Sequence, residues 1–142
     1  MNTFFNTPRV RALVAAAALA VAIGSASAQN VKVKLVGAEE TPPVTTSATG
    51  AGTIKIGADK SVSGTITTKG IDGTVAHIHE GAPGVAGPPI ITLTKSGNDK
   101  WLVPPDSKLT DEQYASFKAS NLYVNVHSAE HKPGEIRAQL KP

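Results

Sequence analysis

Val31, Val33 and Leu35 alternate with Lys32 and Lys34 in NVKVKLVG, and this period of two dominates the chain. Successive side chains of a strand point to opposite faces, so strict alternation marks a half-buried strand and does not fit the apolar stripe of a helix. The same reading covers Ala51 to Ile56, Ser61 to Lys69, Thr74 to Glu80, Ile90 to Lys95, Leu122 to Ser128 and Glu135 to Leu140. Turn residues separate them at Gly57 to Lys60, at Ser96 to Asp99 and at Ala129 to Gly134. Short strands at this spacing predict an all-β chain, built as an antiparallel β-sandwich or a Greek-key barrel.

One stretch breaks the period. In LTDEQYASF, Thr110 and Gln113 form a capping-box pair, and Leu109 and Tyr114 are spaced to staple over the first turn. Phe117 continues the apolar stripe. A short helix near 110–119 is expected, serving as a connection and a cover for the core.

Residues 1–28 read as an address. Arg9 and Arg11 precede an uncharged apolar run from Ala12 to Ile23, and Ala26-Ser27-Ala28 has the small-x-small pattern of a signal cleavage site. The run falls short of the roughly 20 apolar residues of a membrane span. The expectation is an exported protein, periplasmic or secreted, cut after Ala28, with a single domain over 29–142 and no membrane span after cleavage. Removing Arg9 and Arg11 from 14 basic residues leaves 12 against 11 acidic ones. That near-neutral balance argues against a nucleic-acid partner. The lysines are spread along the strands and read as a solvated face. The chain has no cysteine, so core packing alone must hold it and no thiolate can ligate a metal.

The chemistry is concentrated in AHIHEGAPGVAGPP. If Ala76 and Ile78 face the core, His77 and His79 point together to the other side, about 6.6 Å apart at Cα. His-x-His on a strand can close on one ion. By the same parity Leu122, Val124 and Val126 face the core, while Tyr123, Asn125 and His127 face outward, with Glu135 and Arg137 as neighbours of His127. His77, His79 and His127 are therefore the candidate metal ligands, if their strands are adjacent. His131 in the hairpin loop is a candidate fourth ligand or entrance residue. A site of neutral imidazoles suits Cu(II), Zn(II) or Ni(II). The bland alternative is that these are polar residues on an exposed strand face. Gly81, Gly84 and Gly87 shape a tight connection, or allow a ligand to approach the backbone. Glu39 and Glu40 are adjacent and would point apart in an extended chain, which is unfavourable for a paired-carboxylate site.

Four segments, LVGAEETPPVTTSATGAG, AHIHEGAPGVAGPPIITL, LTDEQYASFKASNLYVNVHS and PGEIRAQL, resemble in this order the CHRD (chordin-type) domain family, over roughly Val31 to Leu140. Ala138 stands where that family usually has glycine. The resemblance implies an exported β-sandwich domain and supplies no activity. The His-Ile-His-Glu segment, its glycine-rich loop and the later Val-His are also similar to the copper-ligand strands of Cu/Zn superoxide dismutase. That likeness implies copper on His77, His79 and His127, with Arg137 guiding anions. Between Glu80 and Ile90 there is no room for that family's zinc loop, and its disulfide cysteines are absent, so only the copper half is matched. The fold is then immunoglobulin-like or superoxide-dismutase-like.

Three functions follow: an exported metal-binding domain carrying copper or zinc; a structural or adhesive module that binds an envelope or extracellular protein or a glycan without metal; and a dismutase-like copper redox enzyme, ranked last.

Overall fold

The computed structural model describes residues 27–142 together with Met1. The candidate export segment lies almost wholly outside the described residues. The strands are β1 (Gln29–Val36), β2 (Thr49–Ile56), β3 (Val62–Lys69), β4 (Gly73–Glu80), β5 (Pro89–Thr92), β6 (Thr94–Ser96), β7 (Lys100–Leu102), β8 (Leu122–Ser128) and β9 (Ile136–Leu140). The helix α1 (Asp111–Lys118) lies between β7 and β8. Among the described residues no helix is long and apolar enough to cross a membrane.

The strands form one antiparallel sheet in the order β5-β4-β8-β9-β1-β2-β3-β7-β6. Its two ends, β5 and β6, are consecutive in sequence, separated only by Leu93. Residues 89–96 therefore pair with β4 through their first half and with β7 through their second, and the sheet curls into a nearly closed barrel. The Leu93 N–H donates to the Ala76 carbonyl at 2.9 Å, which holds the crossing point against β4. The single strand expected over Ile90 to Lys95 is thus two strands facing different neighbours. β7, centred on buried Trp101, lay outside the expected strands because three residues are too few to show a period.

Alternation places the core. Val31, Val33 and Leu35 of β1, Ile54 and Ile56 of β2, Ala76 and Ile78 of β4, and Leu122, Val124 and Val126 of β8 all point inward and are buried. Each large side chain removed from water in this way contributes about 1.5–3 kcal/mol. α1 buries Phe117 in the same cluster. Its start is fixed as expected: the Gln113 N–H donates to Thr110 Oγ1 at 3.2 Å, and the Thr110 N–H donates to Gln113 Oε1 at 2.9 Å.

The ladders are uneven. β1 pairs with β2 along its full length, from Gln29↔Ile56 to Val36↔Thr49. It meets β9 at one pair, Val36↔Arg137, beyond which the two strands splay.

Leu93 is 3% exposed at the point where the barrel closes. Leu93→Ala should cost about 2–5 kcal/mol in chemical denaturation, the usual range for a buried leucine. A loss below about 0.5 kcal/mol would show that this crossing does not hold the barrel shut.

Candidate metal centre

β4 and β8 are neighbours, with Ala76↔Val126 and Ile78↔Val124 on the core face. The intervening pairs, His77↔Asn125 and His79↔Tyr123, lie on the other face, with His127 opposite Val75. The parity expected from sequence holds. The exposure expected from it does not: every residue of β8 is buried, and His79, Asn125, His127 and Arg137 are each less than a tenth exposed. The outward face of β4, β8 and β9 is roofed by three loops, residues 37–48, 81–89 and 129–135. It forms a second, polar interior.

His77, His79 and His127 converge in this layer, with one ring nitrogen from each lying within 4.8 Å of the others. His77 is only partly buried and marks the side open to water. Hydrogen bonds fix the tautomers. His127 Nδ1 meets the Lys132 carbonyl at 2.7 Å, and His79 Nδ1 meets the Gly87 carbonyl at 2.8 Å. A carbonyl can only accept, so both Nδ1 atoms carry the proton and both Nε2 atoms present a lone pair. His77 Nδ1 lies 3.0 Å from His127 Nε2 and donates to it. His79 Nε2 is buried and makes no hydrogen bond of standard geometry, although the Asn125 side chain lies near the ring. A buried acceptor left unpaired costs about 1–3 kcal/mol, so its position calls for an electrophile.

The donor set fits a metal ion. Three nitrogens at about 2.0–2.1 Å from one ion stand roughly 3.3 Å apart, so adjustments of about 1 Å gather the wider pairs. Backbone carbonyls on the far ring nitrogens are the customary means of orienting histidine ligands. Desolvation holds His77 and His79 below the ordinary imidazole range, and the neighbouring histidines push in the same direction. Both rings therefore remain neutral, the ligating form, at neutral pH.

The roof is built around Tyr123 and Arg137, whose importance the motifs did not convey. The Tyr123 ring stacks on His79 at 4.7 Å between centroids and 6° between planes. The Arg137 guanidinium covers the other ring, 3.4 Å from the Tyr123 centroid. Its Nη1 donates to the Val85 carbonyl and its Nη2 to the Ala82 carbonyl, each at 3.0 Å. Arg137 is thus a clamp that holds the 81–89 loop over the histidines. It is 2% exposed, whereas the anion-guiding role implied by the dismutase likeness calls for a group open to solvent. The Gly87 carbonyl accepts from His79 Nδ1, and its N–H donates to the Tyr123 hydroxyl. A Cβ there would collide with the Glu80 carbonyl, which favours the tight-connection reading of the loop.

The remaining candidates lie at the edges. Glu135 accepts from Thr46 Oγ1 at 2.7 Å and ties the 37–48 loop to the barrel. His131 is not in the converging group. Its carbonyl closes the hairpin turn by accepting from Gly134 N–H at 3.0 Å, and its side chain lines a shallow cleft beside Thr41, Pro42 and Pro133. Glu39 and Glu40 diverge as expected, but Glu40 turns inward and is buried. Desolvation raises its carboxyl above the usual range, and the nearby Asn125 amide and Arg137 only partly offset this. Glu40 Oε1 and Asn125 Oδ1 also lack partners, so orphaned polar atoms gather in this layer.

Two outcomes follow. In metal-free protein the Cε1–H resonances of His77 and His79 should titrate below the unperturbed value of about 6.5. Their contribution to stability is then complete above pH 6.5 and is lost as pH falls through the folded values. Midpoints at or above 6.5 would contradict the packing. Arg137→Met leaves the Val85 carbonyl without a donor, takes from the Ala82 carbonyl one of its two donors, the other being the Val85 N–H, and should cost at least about 2 kcal/mol in thermal or chemical denaturation. An unchanged stability would remove the clamp.

A search of curated proteins and a search of solved structures each find no match. The family model described as the CHRD domain matches residues 31–140, a span that runs from the second turn of alternation in β1 to the last residue of β9 and takes in every element of the polar layer. The chain belongs to the CHRD domain family.

Proposed function

We propose that this CHRD domain is an exported metal-binding module that holds one Cu(II) or Zn(II) ion on His77, His79 and His127. The observation that carries this reading is the buried, partnerless Nε2 of His79 beside two further imidazole nitrogens, all within 4.8 Å. A polar interior with no ligand to receive it would be a net cost to the fold. An ion accepting all three lone pairs turns that cost into stabilisation. To ligate through Nδ1, His77 moves its proton to Nε2, its other ring nitrogen. The all-nitrogen donor set selects borderline transition metals over Ca(II) or Mg(II), which prefer oxygen. Export is supported by the basic, then apolar, then small-residue order of residues 1–28, and by the start of β1 at Gln29. Burial of Arg137 removes the feature that the dismutase-like reading needed for drawing in a substrate anion.

Isothermal titration of the metal-free protein with Cu(II) and with Zn(II) should give one site for at least one of them. His79→Ala should weaken it by at least a hundredfold. Thermal melting should show a metal-dependent rise of several degrees that His79→Ala abolishes, since binding to the folded state alone adds RT ln(1 + [L]/Kd). Equal, weak binding by both proteins with no shift in melting would leave the partner-binding reading in its place.

A further inference from the structure

The near-neutral charge of the domain conceals a segregation. β1, β2, β3 and β7 contain no aspartate or glutamate. Their outward face carries Lys32, Lys34, Lys55, Lys69 and Lys100, all exposed. The acidic residues lie in the loops, in α1 and at the end of β4. Among the described residues the ion pair is Lys60–Asp111, which involves none of these five lysines. Register spreads them over the whole face: Lys55 stands opposite Asn30, Lys69 opposite Thr49, and Lys100 opposite Thr67. Lys32 and Lys34 follow each other on β1, about 6.6 Å apart. Between the lysines lie the hydroxyls of Thr53, Thr65 and Thr67. Where β1 and β9 splay, a cleft of about 340 Å³ opens, lined by Lys32, Lys34 and Lys141 with Glu39 among its lining residues.

We propose that this face binds an anionic polysaccharide, a uronate-bearing glycan, with its carboxylates on the lysines, its hydroxyls on the threonines and one acidic sugar seated in the β1–β9 cleft. Unpaired lysines on one surface form a field that attracts a polyanion. The chemistry of the face favours sugar over the other polyanions. Base-stacking needs exposed aromatic rings, and β1, β2 and β3 have none, while Trp101 of β7 is buried. The cations are all lysine point charges, without the arginine forks that read phosphates and bases bidentately. A lipid surface calls for an apolar anchor beside the charges, and the exposed large apolar residues among those described are Met1 and Val85, neither of them on this face. The proposal gives the glycan-binding reading a definite surface. It does not depend on the metal centre, which is built on β4, β8 and β9.

The test is binding of intact mature protein to alginate, a polyuronate, by biolayer interferometry at low and at physiological salt. The wild type should bind at low salt and weaken as salt rises. K32E/K34E/K55E should lose at least tenfold, whereas K108E/K118E/K132E, with the same net charge, should stay within about twofold. K32Q/K34Q/K55Q repeats the measurement should charge reversal impair folding. No binding by the wild type, or an equal loss from both triple variants, overturns the proposal. Tighter binding to single-stranded DNA or to phosphatidylglycerol vesicles than to alginate overturns the choice of ligand.

Discussion

Pairing of β4 with β8 determines both interiors of this domain. A strand has two faces and one register, so the alignment that sets Ile78 against Val124 in the apolar core also sets His77 beside Asn125 and His79 beside Tyr123 outside it. A slip of one residue in β4 would carry His77 and His79 into the hydrocarbon centre and turn Ala76 and Ile78 outward, and the same slip in β8 would carry in His127 and turn out Leu122, Val124 and Val126. The core therefore enforces the geometry of the polar layer, and the histidines need no separate scaffold.

The loops complete what the register begins. Arg137, Tyr123 and His79 form a stack whose outer member is pinned to the 81–89 loop by two backbone carbonyls. That loop returns a carbonyl to His79 through Gly87, while the β8–β9 turn supplies one to His127 through Lys132. Both rings are thus fixed in the tautomer that protonates Nδ1 and keeps the lone pair on Nε2. In a chain without cysteine, such side-chain-to-backbone bonds tie the loops to the barrel where no disulfide can.

Much of this was legible in the sequence, because alternation reports direction. The inward set of β1, β4, β8 and β9, the capping box of α1 and the common side of His77, His79 and His127 all followed from parity. Burial of the polar side did not. Alternation says which way a side chain points, and it is silent on whether a loop folds over it, so His127 and Arg137 were expected at a solvated surface. Tyr123, Asn125, His127, Glu135 and Arg137 are polar residues on one side, and such a set is as much at home in water as under a roof, so it gave no sign of burial. Closure of the barrel through Leu93 was hidden for a related reason. A continuous run of β-formers from Ile90 to Lys95 does not show that its two halves have different partners. The lysine face was visible as a solvated face, but its freedom from acids becomes a single surface only once β1, β2, β3 and β7 are laid side by side.

The claim on which the functional reading rests is that three imidazoles share one ion. X-ray absorption at the metal edge of copper- or zinc-loaded protein addresses this without reference to affinity. Three histidine scatterers at about 2.0–2.1 Å, falling to two in His79→Ala, is the expected result. A shell of oxygen with one imidazole or none, unchanged by that substitution, would contradict it.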